Sequence, residues 1–138
     1  MGRWSRAVAD VFVRLLDVPA GRRWLDVGCG TGALTAAVLA VAEPGEVVGV
    51  DPSDGFLAAA RARVADPGVA FRAGDARRVP VPAGHFDAVV SGLVLNFVPE
   101  PERAVAEFVR VAAPGGVVAA YVWDYAGGMG LIRHFWDA

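Results

Sequence analysis

The stretch Leu25-Asp26-Val27-Gly28-Cys29-Gly30-Thr31-Gly32 joins a short apolar strand, predicted over residues 24–27, to a helix predicted over residues 34–41. Glycine permits a tight turn and a close approach of the backbone to a ligand, because it has no Cβ atom. The N-terminus of the following helix adds free N–H groups that attract a carboxylate or a phosphate. We therefore expect a ligand above this glycine loop, the alternative being a tight turn that binds nothing.

The rest of the chain repeats the alternation of strand and helix. Further strands are predicted at 46–50, 69–73, 86–91 and 117–123, and further helices at 4–17, 53–65, 100–112 and 131–138. This order is typical of an α/β protein with a Rossmann-like, doubly wound and mainly parallel sheet of about five strands, with helices on both faces. In such sheets ligands bind beyond the carboxyl ends of the strands, so functional residues are expected there.

The composition fits a single domain over residues 1–138. Hydrophobic residues make up 55% of the chain, but no apolar run reaches the roughly 18 residues that span a bilayer, so no membrane association is expected. No signal-type segment follows the N-terminus, which predicts a cytoplasmic location. The 13 basic residues are all arginine and are scattered, which argues against a nucleic-acid partner. The single cysteine, Cys29, excludes an internal disulfide and a cysteine-based zinc site, and no metal is predicted.

Acidic residues end the second and third predicted strands. Asp51 can accept hydrogen bonds from both hydroxyl groups of a ribose, and Ser53 can cap the next helix. Asp75 ends the third strand in the same way. The pattern Gly28-x-Gly30-x-x-Ala33 also fits a dinucleotide-binding loop, so these residues alone leave NAD as a competing ligand.

The glycine stretch resembles motif I of the class I S-adenosylmethionine (SAM)-dependent methyltransferases, and the chain as a whole looks like the type that acts in ubiquinone and menaquinone biosynthesis. The resemblance implies that Asp26 lies near the amino group of the methionine part of SAM. It also implies that Asp75 accepts from the adenine amino group and that the backbone N–H of Ala76 meets the adenine ring. Together with Gly32, the two acids favour SAM over NAD.

A second resemblance involves residues 86–99, which are similar to the fourth-strand segment of the same family. It implies that Ser91, Gly92 and Leu93 line the floor under the transferring methyl group, and that Phe97 faces the cofactor or the substrate. The complete set of candidate cofactor-binding residues is Asp26, Gly28, Cys29, Gly30, Gly32, Asp51, Pro52, Ser53, Gly74, Asp75, Ala76, Ser91, Gly92, Leu93 and Phe97.

The resemblance also implies what surrounds this core. The expected strand order is 3-2-1-4-5, and the chain is expected to stop one helix and two strands short of the seven-stranded family domain. The fifth strand would then be an apolar edge, which invites pairing. We expect it to be covered by a homodimer, by strand exchange or by the terminal helix, with contacts from Trp123, Phe135 and Trp136. Residues 1–20 would form an entry helix with Arg3 and Trp4 as candidate lid residues.

Three functions follow from these patterns. The first is transfer of the methyl group of SAM to a small-molecule acceptor, with S-adenosylhomocysteine (SAH) as product. The second is binding of SAM or SAH without turnover, since segments that shape a substrate pocket are expected to be missing. The third is an NAD-dependent oxidoreductase. No general base is identified, because His85 and His134 fit surface positions and Cys29 fits a small residue in a tight loop. The acceptor cannot be read from the sequence.

Overall fold

The computed structural model describes residues 2–124 and 130–137, with side chains described from residue 6 to residue 122. The helices are α1 (Gly2–Leu16), α2 (Ala33–Val41), α3 (Asp54–Arg63) and α4 (Pro101–Val111), and a short 3-10 helix spans Leu95–Phe97. The strands are β1 (Arg23–Val27), β2 (Glu46–Asp51), β3 (Val69–Ala73), β4 (Phe86–Gly92), β5 (Ala112–Asp124) and β6 (Gly130–Asp137). No helix of the described part of the chain is long and apolar enough to cross a membrane.

The strands form one sheet in the order β3-β2-β1-β4-β5-β6. The first five strands pair in parallel, which confirms the predicted order 3-2-1-4-5. The chain moves outward from β1 to β3 and then returns to the other side of β1 with β4. The point between β1 and β4 is therefore the switch point of the sheet, where two loops diverge and leave a crevice at the carboxyl ends of the strands.

The central strand β1 contributes to two hydrophobic cores, one on each face of the sheet. Trp24 packs in the core that includes Phe12 of α1 and Val38 of α2. The next residue, Leu25, points to the opposite face and packs in the core that includes Phe108 of α4. Because successive side chains of a strand face opposite ways, a continuous apolar run is what a sheet covered on both faces requires.

The prediction of a last helix over residues 131–138 is wrong. Gly130–Asp137 form β6, which pairs antiparallel with β5 from Val117↔Asp137 to Asp124↔Gly130. Without β6, the edge of β5 would have unpaired N–H and C=O groups. A neighbouring strand forms hydrogen bonds with these groups, whereas a helix does not. The edge is thus covered by a strand of the same chain. A homodimer or strand exchange stays a prediction, but an uncovered edge of β5 no longer argues for it.

Two other expectations lie outside the described residues. The side chains of Arg3 and Trp4, expected as a lid, are not among those described, although both residues lie in α1. The same holds for the side chains of Trp123, Phe135 and Trp136, which were expected to cover β5. The backbone register places the last two of these residues opposite Ala119 and Val118.

A pair of glycine substitutions tests the packing of β2. A Cβ atom at Gly49 would lie 2.7 Å from the ring of Phe71 and 3.1 Å from Sγ of Cys29, whereas one at Gly55 in α3 has no neighbour nearer than 3.8 Å. Gly49→Ala should lower the free energy of unfolding by about 1–3 kcal/mol through overpacking. Gly55→Ala should leave it unchanged or raise it by up to ~1 kcal/mol, because alanine favours a helix. Urea denaturation measures both, and equal effects would contradict the packing described for β2.

Candidate ligand-binding cleft at the switch point

Two adjoining cavities occupy the carboxyl ends of β1, β2 and β4. The loop cavity, of about 310 Å³, is lined by Asp26, Gly30 and Tyr121 among others. The outer cavity, of about 330 Å³, is lined by Asp75 and Phe97 among others. The two cavities share the lining residues Gly28, Asp51, Phe56, Leu93 and Val94, so they form one elongated cleft.

The glycine loop forms one wall of this cleft. Gly28 has a φ of 73°, and its N–H donates to the carbonyl oxygen of Val50 at 2.7 Å, which ties the loop to the end of β2. A Cβ atom at Gly28 would lie 2.5 Å from a methyl carbon of Val94 on the opposite wall. The lack of a side chain here therefore lets Val94 pack directly against the loop, and it also permits the left-handed backbone.

Asp26 lies at the end of β1 and is 1% exposed. Its Oδ2 accepts a hydrogen bond of 2.7 Å from Oγ1 of Thr35 in α2. Its Oδ1 is buried and has no hydrogen-bond partner among the described residues. Burial, together with the nearby charge of Asp51, raises the pKa of Asp26 to about 7, against the opposing effect of the Thr35 hydrogen bond. An acceptor that is buried and unpaired costs free energy unless a ligand donates to it.

Asp51 lies where the two cavities meet, and its carboxylate fixes the local backbone. Its Oδ2 accepts from the N–H of Gly30 at 3.0 Å, and its Oδ1 accepts from the N–H of Ser53 at 2.9 Å. Ser53 in turn caps α3 by accepting from the N–H of Phe56. A carboxylate oxygen has about two lone pairs. Each oxygen of Asp51 can thus accept a further hydrogen bond from a ligand hydroxyl group.

Asp75 follows β3 and borders the outer cavity, where its side chain is exposed. Its Oδ1 accepts from the backbone N–H of Arg77 at 2.7 Å and from Nε of Arg77 at 3.1 Å. Its Oδ2 accepts from Nη2 of the same guanidinium at 3.0 Å. These hydrogen bonds hold the pKa of Asp75 below its ordinary value, so the carboxylate stays an acceptor at neutral pH.

Most of the residues proposed from the sequence border the cleft. Those that line one or both cavities are Asp26, Gly28, Cys29, Gly30, Asp51, Pro52, Ser53, Asp75, Ala76, Gly92, Leu93 and Phe97. Gly32, Gly74 and Ser91 do not line either cavity. Gly32 packs against Val64, Gly74 packs against Pro80, and Ser91 is buried.

The sequence analysis missed Phe56, Arg63 and Tyr121, which also line the cleft. Tyr121 lies in the carboxyl-terminal half of β5, so the strand-end rule that selected Asp51 would have found it. Its ring meets the ring of Phe12 edge-on at 4.7 Å, and its main chain accepts from the N–H of Leu93. The two α3 residues carry no local signal, because only the packing of α3 beside the glycine loop brings them to the cleft.

The cleft contains no evident proton acceptor among its described residues apart from the carboxylates. Burial raises the pKa of the Cys29 thiol and of the Tyr121 hydroxyl group, so both stay protonated at neutral pH. His85 precedes β4, and its Nε2 lies 3.3 Å from Oε2 of Glu46, the first residue of β2. This pair lies at the amino ends of the strands, whereas the cleft lies at their carboxyl ends.

The fold and cleft define a Rossmann-like α/β protein with acidic side chains at its switch point. Residues 25–120 match the family described as "Methyltransferase domain". Because the match covers more than half of the chain, the chain belongs to this family, and the resemblance found in its sequence is confirmed.

Three similar proteins illustrate the match. The ubiquinone/menaquinone biosynthesis C-methyltransferase UbiE of Ectopseudomonas mendocina is 39% identical over 109 residues, which are 75% of this chain and 43% of the relative. The structure of Haemonchus contortus phosphoethanolamine N-methyltransferase 2 in complex with S-adenosyl-L-methionine has 27% identity and a TM-score of 0.77, and covers 87% of this chain and 28% of that one. The [4+2]-cyclase SpnF has 31% identity and a TM-score of 0.77, with coverage of 85% and 44%. The chain thus spans less than half the length of each.

The raised pKa of Asp26 predicts how stability varies with pH. The folded protein keeps the proton up to about pH 7, whereas the unfolded chain releases it near pH 4. The carboxylate therefore lowers stability progressively as pH rises between these values, and the loss is complete above pH 7. Asp26→Asn removes this loss and should be more stable than the wild type by roughly 2–4 kcal/mol at pH 8, and by little below pH 4.

Urea denaturation of both proteins across this pH range measures the difference. Asp10→Asn, at an exposed position of α1, serves as the control for loss of one negative charge. A stability difference that does not change with pH would contradict the pKa assigned to Asp26.

Proposed function

We propose that this chain binds SAM in the cleft and, as part of the protein to which it belongs, transfers the methyl group of SAM to a small-molecule acceptor. The observation that carries the proposal is the unpaired Oδ1 of Asp26, a buried carboxylate oxygen beside the glycine loop. A ligand with a positively charged amino group would satisfy it, and the amino-acid end of SAM has such a group.

The remaining polar groups of the cleft suit the rest of SAM in order. Asp51, at the junction of the cavities, would accept from the ribose hydroxyl groups. Asp75 would accept from the adenine amino group in the outer cavity, where the buried Ala76 borders the same space. When bound, SAM supplies an activated methyl group on a sulfonium centre, and the protein supplies orientation.

The proton chemistry of the cleft favours an acceptor that is nucleophilic without help. The thiol of Cys29 and the hydroxyl group of Tyr121 are held in their protonated forms. The name of the UbiE relative, a C-methyltransferase, supports a carbon acceptor on a small molecule. A single domain over residues 1–138, a cytoplasmic location and a homodimer are further parts of this proposal that await experiment.

Binding without methyl transfer is the second candidate function. The chain covers less than half of its curated relatives, and SpnF, a similar structure, is named a cyclase. Nothing in the comparisons supports the oxidoreductase alternative. Binding and turnover therefore need separate tests.

Isothermal titration calorimetry with SAM, SAH and NAD tests the binding proposal. We expect both adenosyl ligands to bind and NAD not to bind. Asp26→Asn should abolish the binding of both, since it removes the charge that faces the ligand amino group. Binding of NAD but of neither adenosyl ligand would overturn the proposal.

The affinity for SAH should depend on pH through Asp26. Its carboxyl group must be ionised to pair with the ligand ammonium, so binding releases a proton wherever the free protein holds one. Below about pH 7 the affinity should therefore fall by up to about tenfold per pH unit. Calorimetry in two buffers of different ionisation enthalpy measures the released proton, and pH-independent affinity would contradict this role.

Transfer of a labelled methyl group to a panel of phenols, quinols and amines separates the two candidate functions. Turnover with any acceptor supports the methyltransferase. Tight binding of SAH without turnover on the panel supports the binding module.

A further inference from the structure

The guanidinium of Arg77 donates hydrogen bonds to both carboxylate oxygens of Asp75. Oδ1 of Asp75 accepts two hydrogen bonds from Arg77, one from the backbone N–H and one from Nε. Oδ2 accepts one, from Nη2 at 3.0 Å. Since Asp75 and Arg77 both line the outer cavity, this pair belongs to the wall of the cleft.

The hydrogen bonds distinguish the two oxygens of Asp75. Each carboxylate oxygen has room for about two hydrogen bonds. Arg77 uses both positions on Oδ1 and one on Oδ2, so Oδ2 retains one acceptor position in the described structure. The carboxylate is thus fixed in one orientation, with one acceptor position left for a ligand.

Arg77 also reaches the other wall of the outer cavity. Its Nη1 lies 3.8 Å from Oε1 of Glu100, the residue before α4. Glu100 follows the segment that contributes Phe97, Val98 and Pro99 to the cavity lining. Arg77 therefore connects the loop after β3 with the segment after β4.

We propose that Arg77 is a positioning residue that makes the cleft selective for a 6-amino purine over a 6-oxo purine. This rests on the proposed function, in which the adenine end of SAM occupies the outer cavity. An adenine amino group donates to the free acceptor position on Oδ2. A 6-oxo purine presents an oxygen there instead, and two acceptors facing each other repel.

The selectivity for a 6-amino purine follows because Arg77 holds the Asp75 carboxylate in one orientation and in its ionised form. Without the guanidinium, the exposed side chain of Asp75 can rotate toward solvent and no longer oppose a 6-oxo group. The ion pair itself is partly exposed, with side-chain exposures of 29% for Arg77 and 49% for Asp75. Exposed pairs add little to folding stability, so removal of Arg77 should change ligand selectivity far more than stability.

Calorimetry with SAH and with S-inosylhomocysteine, its 6-oxo analogue, tests this role. The proteins are the wild type, Arg77→Gln and the matched control Arg78→Gln, whose side chain lines neither cavity. The wild type and the control should prefer SAH. Arg77→Gln should bind SAH about tenfold more weakly, the equivalent of one lost hydrogen bond, and should bind the analogue more tightly than the wild type does, because Asp75 no longer opposes the 6-oxo group.

Arg77→Lys keeps the charge but loses the pair of guanidinium hydrogen bonds to Asp75. Its preference for SAH should therefore fall between those of the wild type and Arg77→Gln. Thermal melting checks that all variants are folded. If Arg77→Gln retains the full preference for SAH, or binds SAH more tightly, Arg77 does not position Asp75 for the ligand and the inference is overturned. If the wild type binds neither compound, the proposed function fails as well, which distinguishes the two failures.

Discussion

The buried carboxylate of Asp26 is the group on which the organisation of the cleft depends. It ends the central strand of the sheet, and its hydrogen bond from Thr35 links that strand to α2 across the glycine loop. Desolvation makes its charge costly, and the neighbouring Asp51 increases that cost. A group that lowers stability at neutral pH is expected at a functional site, where a ligand repays the cost by supplying the missing charge.

The three acids at successive strand ends differ in how they are satisfied. Asp26 has one buried oxygen without a partner, Asp51 accepts from two backbone N–H groups, and Asp75 is held by a guanidinium. Along the cleft the carboxylates thus change from buried and incompletely paired to exposed and firmly paired. This gradient matches a ligand that has a cation at one end, hydroxyl groups in the middle and a neutral amino group at the other end.

Local sequence signals predicted the central part of the fold well. The strand before the glycine loop, the helix after it and the cap at Ser53 depend on residues close together in the chain, and all are found in the structure. The C-terminal segment was mispredicted because its strand conformation depends on pairing with the open edge of β5, which the segment's own sequence does not reveal. Phe56 and Arg63 carry no local signal, because only the packing of α3 beside the glycine loop brings them to the cleft, whereas the strand-end rule applied to β5 would have found Tyr121.

The sequence also over-assigned some residues to the cleft. Gly32 and Gly74 lie beside it, but the space that their missing side chains leave is filled by Val64 and Pro80. A glycine in a motif can serve packing as well as a ligand, and only the three-dimensional neighbours distinguish these roles. The hydrogen bonds from the Arg77 guanidinium to Asp75 could not be predicted either, because side chains two residues apart in a loop have no fixed relative orientation.

The central claim is that the buried carboxyl group of Asp26 binds the positively charged amino group of the ligand. NMR titration of its carboxyl carbon tests this claim most directly. In the free protein the signal should titrate near pH 7, and in the presence of saturating SAH it should stay ionised well below that pH. A signal that titrates near pH 4 in the free protein, or one that SAH leaves unchanged, would contradict the account.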